Sequence, residues 1–115
     1  MPGISVHVVD VTRGVPAVGM RVEVFSLQPR RRSIADGHLA ASGALDHAVV
    51  REKQPPGGYE VVFHVGAFFK ANGIAQSEPP FLDQVPFRFT IAEPDQHYHL
   101  PMKLTPWGFS LYRGS

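Results

Sequence analysis

Cysteine is absent from this sequence of 115 residues. Disulfide bonds, thiolate metal ligands and a cysteine nucleophile are therefore excluded. An excess of charge is absent too, because 11 basic and 10 acidic residues leave a formal net charge of +1. Such a balance does not indicate a nucleic-acid partner. The one basic run, three arginines at residues 30–32, has no interleaved aromatic residues and predicts a solvated turn.

The sequence also lacks any apolar run long enough to span a bilayer. Its first seven residues, Met-Pro-Gly-Ile-Ser-Val-His, do not have the basic start and apolar stretch of a secretory signal. We therefore expect a cytoplasmic protein without a membrane partner. The length fits a single domain over residues 1–115, which is large enough for one buried core.

Glycine and proline, eleven of each, divide the chain into short segments. Most segments alternate apolar and polar residues with a period of two, which is typical of half-buried strands. Roughly seven or eight such strands predict an all-β sandwich of two packed antiparallel sheets, because that arrangement buries one face of every strand. Strands are predicted around residues 4–8, 20–24, 59–65, 85–91, 97–104 and 107–111, with weaker patterns at 33–41 and 45–50.

One segment has the composition of a helix. Residues 67–72 are good helix formers and Gly73 suits a helix terminus, so we predict one short helix there and no other. In the strand around residues 85–91, Pro86 cannot donate a ladder hydrogen bond and favours an edge position.

Six histidines are the residues best suited to chemistry near neutral pH. His7 and His99 lie on well-patterned strands, opposite the apolar residues, where threonine or lysine would serve a purely structural strand equally well. His97 shares a face with His99, but two histidines supply only half of a tetrahedral metal site and no carboxylate completes it, so we predict no metal. The remaining three are interpreted as surface residues: His38, His47 and His64.

Several short motifs at both ends of the chain are similar to those of a known family. They are Val-His-Val-Val-Asp at residues 6–10, Gly-Val-Pro-Ala at 14–17, Gly-Ala-Phe-Phe at 66–69, Gln-His-Tyr-His-Leu-Pro at 96–101, Thr-Pro-Trp-Gly-Phe-Ser at 105–110 and the terminal Tyr-Arg-Gly-Ser at 112–115. Together they resemble the 5-hydroxyisourate hydrolases of the transthyretin-like family. The likeness covers nearly the whole chain, and the terminal tetrapeptide is its most specific part.

The resemblance implies a prealbumin-type sandwich of two four-stranded sheets with one short helix. It also implies a homotetramer, a dimer of dimers, whose active sites lie in channels between the dimers. The hormone carrier transthyretin shares this fold but does not keep the catalytic histidines or the terminal tetrapeptide. Because this chain has His7, His99 and Ser115, the resemblance favours an enzyme.

The implied reaction is the addition of water to a ring carbonyl of 5-hydroxyisourate, which opens that ring during urate breakdown towards allantoin. No cofactor is required, and the partner is the small-molecule substrate. The resemblance assigns His7 and His99 to orienting and deprotonating water, with Ser115 hydrogen-bonded to water or substrate. The implied substrate-binding residues are Tyr112, Arg113, Gly114 and the residue at position 44, with Arg113 supplying a fixed cation.

Position 44 departs from the family pattern. The family usually has an active-site arginine after an Asp-Gly pair, and the ungapped match places Ser42, Gly43 and Ala44 there. A second match sets His38 at the arginine position, after Asp36 and Gly37, but needs an insertion. Because alanine supplies no cation, we also consider an N-methylated or otherwise altered hydroxyisourate as substrate and a non-catalytic ligand-binding sandwich. A further alternative is a structural interaction domain whose aromatic carboxy-terminal end packs against partner subunits.

Overall fold

The alternating segments form eight strands in the computed structural model, which describes residues 1–115. The strands are β1 (Gly3–Asp10), β2 (Val15–Pro16), β3 (Arg21–Ser26), β4 (Arg32–His38), β5 (Gly57–His64), β6 (Gln84–Ile91), β7 (His97–Thr105) and β8 (Gly108–Leu111). One α-helix, α1 (Val65–Ala71), follows β5, and a single 3₁₀ turn covers Ala48–Val50.

The strands make two four-stranded sheets, as predicted, in the orders β2-β1-β7-β8 and β4-β3-β5-β6. We call them the first and the second sheet. One pair departs from the antiparallel expectation, because β1 pairs parallel to β7 over the whole length of β1. The chain reaches β7 from β6 of the second sheet, and parallel neighbours need such a crossover rather than a hairpin.

The core lies between the two sheets. In β1 the buried residues are Ile4, Val6 and Val8, and in β7 they are the four apolar residues of the predicted pattern, Tyr98, Leu100, Met102 and Leu104. Because side chains alternate along a strand, the residues between them face away from the core. The outer face of the first sheet therefore carries Ser5, His7, His97 and His99, all of them half-buried.

Two local predictions differ from the structure. Residues 45–50 do not form a strand: Leu45 makes one backbone bond to β1, and the His47 side chain then accepts a hydrogen bond from Val49 N–H and begins the 3₁₀ turn. The helix begins at Val65, two residues before the predicted segment. It packs its buried phenylalanines, Phe68 and Phe69, into the core.

Other local predictions are confirmed. β6 with Pro86 lies at an edge of the second sheet. The weak pattern at 33–41 overlaps β4, which begins one residue earlier and ends at His38. No helix of the structure has the length and apolar character needed to cross a membrane.

Candidate active site

The outer face of the first sheet brings the two predicted catalytic histidines onto neighbouring strands. The parallel register sets Ser5 of β1 beside His99 of β7, and His7 beside Pro101. Ser5 and His7 are two residues apart on β1 and therefore face the same side of the sheet. Because His99 lies beside Ser5, His7 and His99 are close to each other on the same outer face. This arrangement depends on the β1–β7 pairing.

Position 44 lies directly beside His7. Val8 N–H donates to the Gly43 carbonyl at 3.0 Å, Leu45 N–H donates to the Val6 carbonyl at 3.1 Å, and Ala44 forms an antiparallel bridge with His7. Gly43 has a φ of +84°, and a Cβ there would lie 2.7 Å from the Val8 carbonyl oxygen. Glycine at this position therefore lets the segment approach the edge of β1.

This geometry separates the two possible matches to the family motif. Ala44 adjoins a predicted catalytic histidine, whereas His38 ends β4 in the second sheet. Asp36 pairs there with Arg21, at 2.9 Å between Arg21 Nη2 and Asp36 Oδ2. The ungapped match through Ala44 is therefore the one that the fold supports.

His7 is oriented by a backbone group. Its Nε2 lies 2.8 Å from the Ser42 carbonyl oxygen, which can only accept a hydrogen bond. The proton of a neutral His7 is thus on Nε2, and Nδ1 keeps its lone pair. The loop that places Ala44 beside His7 also fixes the orientation of the imidazole.

The carboxy-terminal segment docks on His99. Gly114 N–H donates to the His99 carbonyl oxygen at 2.7 Å, and the two residues form an antiparallel bridge. A Cβ on Gly114 would lie 2.9 Å from His99 Cδ2 and 3.3 Å from Pro101 ring atoms. The end of the chain is thus anchored at Gly114, while the flanking Tyr112 and Ser115 are exposed.

Arg113 is bonded to the segment that begins β7. Its Nη2 donates to Gln96 Oε1 at 3.0 Å and to the His97 carbonyl at 3.2 Å. The guanidinium also stacks 4.1 Å from the centre of the Tyr98 ring. Because Tyr98 faces the core, Arg113 lies at the edge of the sandwich, where it ties the terminal segment to β7.

Ser5 and His97 join the site, although the sequence patterns did not single them out for function. Ser5 Oγ lies 2.7 Å from His97 Nε2 and 2.6 Å from His99 Nδ1. The period of two predicts that these side chains face outward. It does not predict the parallel register that makes them neighbours. Burial lowers the pKa of His99, and the nearby His97 and His7 lower it further, because a second positive charge is disfavoured there.

The other histidines have structural surroundings. His38 is exposed, as expected, and His47 begins the 3₁₀ turn. His64 lies on the outer face of the second sheet but is less exposed than expected: its side chain is 14% exposed, and its Nε2 lies 2.7 Å from Glu23 Oε1. No group of three or more His, Asp or Glu residues is arranged to hold a metal ion.

The motifs predict a transthyretin-like hydrolase. The structure has the features of that class: a sandwich of two sheets, histidines on one outer face, and the terminal segment bound to the same sheet. The sequence model of the HIUase/Transthyretin family matches residues 4–114, and the chain belongs to that family. The resemblance predicted from the motifs is confirmed.

The similar proteins share a name as well as a fold. A 5-hydroxyisourate hydrolase of Deinococcus radiodurans is 40% identical over 99% of this chain and 97% of its own length. One from Pseudomonas aeruginosa is 37% identical over 100% of this chain and 93% of its own length. The structure of Klebsiella pneumoniae 5-hydroxyisourate hydrolase superimposes with a TM-score of 0.82 at 30% identity, covering 100% of both chains.

A longer protein contains a similar region. The structure of an (S)-allantoin synthase matches with a TM-score of 0.89 at 37% identity and covers 98% of this chain. This chain spans only 43% of that protein.

Proposed function

We propose that this protein hydrolyses 5-hydroxyisourate, opening one ring of that compound in purine catabolism. The observation that carries the proposal is the meeting of His7, His99 and the terminal segment on one sheet face, in a chain whose similar relatives are named for this activity. The reaction class is hydrolysis of a cyclic amide.

The chemistry needs a base for water and a group to bind the developing negative charge. A histidine takes a proton from water while the water oxygen bonds to the ring carbonyl carbon. The carbon–nitrogen bond then breaks, and this proton passes to the departing nitrogen. The carboxylic acid that forms keeps the second proton of the water and releases it to solvent as it ionises to a carboxylate. His7 and His99 orient and deprotonate the water, and the exposed Ser115 supplies its hydroxyl as a hydrogen-bonding group.

The low pKa of His99 suits a base. Because burial and neighbouring histidines disfavour its charged form, His99 stays neutral at pH 7 and can accept a proton. Arg113 supports the site by holding the terminal segment against β7, and its exposed guanidinium has N–H donors beyond those bonded to Gln96 and the His97 carbonyl. Substrate binding by Arg113, Tyr112 and Gly114 stays a prediction.

A homotetramer is part of the proposal. The histidines lie on the open outer face of a sheet, so a second copy packed over that face would enclose the substrate and exclude water. β8 is an edge strand with unpaired backbone groups, and nearby aromatic residues are exposed, including Trp107 at 58% and Phe109 at 44%. Sedimentation equilibrium should give four times the chain mass; a monomer would contradict the assembly. The cytoplasmic location stays a prediction.

The relatives' names favour the unmethylated substrate over the alternatives that Ala44 raised. The first test is stopped-flow absorbance of freshly generated 5-hydroxyisourate and its N-methylated analogue, each with and without the protein. We expect faster decay of the unmethylated compound. Selective decay of the methylated compound would make Ala44 a determinant of altered specificity, and no acceleration of either would contradict the hydrolase.

A further inference from the structure

A continuous hydrogen-bonded chain ends at His99. It begins at the carbonyl oxygen of Pro2, which lies 3.2 Å from His97 Nδ1. His97 Nε2 is 2.7 Å from Ser5 Oγ, and Ser5 Oγ is 2.6 Å from His99 Nδ1. The three side chains are half-buried. The contact with His99 is made at Nδ1, so Nε2 takes no part in these bonds.

The direction of each bond in this chain follows from the donors and acceptors. A backbone carbonyl only accepts, so the proton of His97 is on Nδ1. A neutral imidazole has one N–H, so His97 Nε2 must accept, and the only donor beside it is the Ser5 hydroxyl. The Ser5 oxygen has then used its proton and accepts from His99 Nδ1–H. His99 Nε2 is left unprotonated.

We propose that Ser5 and His97 are positioning residues that hold His99 as the Nδ1–H tautomer, so that Nε2 takes the proton from water. This inference rests on the proposed hydrolysis and names the base within it. Which imidazole nitrogen carries the proton is set by the bond that the other nitrogen makes. Without Ser5, the His99 ring has no partner that fixes the proton on Nδ1, and the opposite tautomer, which an unconstrained histidine prefers, becomes accessible.

The same series of hydrogen bonds also holds His99 when its imidazole is protonated. When Nε2 takes the proton from water, the imidazolium keeps its Nδ1–H bond to Ser5 Oγ, and the Ser5 hydroxyl keeps its bond to His97. The same contacts therefore hold the ring through the proton transfer, until Nε2 returns the proton to the departing nitrogen. The titratable groups that act on His99 are His97 on the same strand and His7 on β1. The docked segment adds Arg113, whose guanidinium is bonded to Gln96 and to the His97 carbonyl.

The first experiment observes the tautomer directly. Long-range ¹H–¹⁵N NMR spectra of the full-length protein with labelled histidine rings distinguish a protonated from an unprotonated Nε2. We expect unprotonated Nε2 for His99 in the wild type and in Ser5→Thr, which keeps the hydroxyl. Ser5→Ala should shift His99 towards the Nε2–H form. Assignment uses loss of the signal in His99→Gln, and His38, in the second sheet, should not change.

The second experiment measures the consequence for catalysis. Ser5→Ala should lower kcat roughly 10- to 100-fold, the range seen when partners that orient a functional histidine are removed, with KM within about twofold. Ser5→Thr should restore most of kcat. His97→Asn, which keeps a donor for Pro2 but loses the acceptor for Ser5, should also lower kcat. Ser33→Ala, an exposed serine on β4, is the matched control and should leave kcat unchanged.

The outcomes separate this inference from the proposed function. An Nε2–H signal for His99 in the wild type, or a Ser5→Ala variant with unaltered tautomer and kcat, would overturn the positioning role. A wild type that does not accelerate 5-hydroxyisourate decay would instead overturn the hydrolase, and the NMR arm alone would then decide the tautomer. Circular dichroism of each variant checks that a loss of kcat does not reflect unfolding.

Discussion

The outer faces of the two sheets use polar residues in opposite ways. On the second sheet, Glu60 accepts from both Arg31 and Arg88 at 2.8 Å. Arg21 forms further ion pairs there with Asp36 and Glu23, and Glu23 also lies within hydrogen-bonding distance of His64 Nε2. On the first sheet the bonds join neutral groups: imidazoles, a hydroxyl and backbone carbonyls. On the second face, carboxylates are bound by arginines. On the first face, imidazole nitrogens keep lone pairs that can accept a proton.

The difference also affects the titration of the two faces. Hydrogen bonds from Arg88 and Arg31 hold the pKa of Glu60 below its usual range, so this carboxylate stays charged. Burial and like-charged neighbours instead lower the pKa of His99, so this imidazole stays neutral. Arg31, from the basic run, belongs to the second face: it stacks 3.7 Å from the Phe25 ring centre and pairs with Glu60.

The largest expected effect is the loss of a histidine from the first face. His7→Ala should lower kcat/KM on the order of 10²- to 10⁴-fold, the usual contribution of a positioned acid or base. Steady-state or stopped-flow decay of 5-hydroxyisourate measures it. His38→Ala, an exposed histidine of the second sheet, is the control. Equal activity of the two variants would remove His7 from the mechanism.

Displacing the terminal segment should have a smaller effect. In Gly114→Ala the new methyl group would meet His99 Cδ2 at 2.9 Å, so the segment or the His99 ring must shift. We expect kcat/KM to fall roughly 10-fold or more, since small misplacements of catalytic groups are costly. Gly108→Ala is matched, because a Cβ there meets nothing within 4 Å. If both variants behave alike, docking at Gly114 has no catalytic role.

The pH dependence tests the state of His99. The ordinary histidine pKa is 6.5, and the pKa of His99 lies below it. A base must be unprotonated, so kcat/KM should rise with pH through this lowered pKa and level off above it. The acid limb of the profile should therefore fall below pH 6.5. A limb above that value would show that His99 is not the group whose deprotonation permits the reaction.

The smallest effect on activity is expected on the second face. Glu60→Gln removes a charge that two arginines bind, and should lower the free energy of unfolding by about 1–2 kcal/mol at neutral pH with activity retained. Because the folded-state pKa is lowered, this stabilisation exists above the unfolded pKa and disappears as pH falls through the folded value. Urea titrations at several pH values measure it. Asp36→Asn, in the exposed pair with Arg21, should cost less.

Much of the fold was predictable from local patterns. The period of two in β1 and β7 gave both the buried residues and the outward histidines, and Pro86 correctly indicated an edge strand. The segment at 45–50 was not predictable in this way, because its apolar residues pack against β1 from a 3₁₀ turn. That structure depends on the His47 side chain and on distant strands.

The site was predictable only in part. Motifs led to His7, His99 and Ala44, but the contacts among Ser5, His97 and His99 depend on a parallel register between strands 94 residues apart at Ser5 and His99. The position of the Arg113 guanidinium depends on its contacts with Gln96 and the Tyr98 ring, and the spacing of residues in the sequence does not predict these contacts. Long-range pairing, rather than residue type, decides which polar groups meet.

The contrast between the faces is tested most directly by one paired measurement, the decay of 5-hydroxyisourate with His99→Gln and with His64→Gln. Both changes replace a half-buried histidine, one on each outer face. The account predicts that His99→Gln loses the acceleration and His64→Gln keeps it. Loss in both variants, or retention by His99→Gln, would contradict the assignment of catalysis to the first sheet.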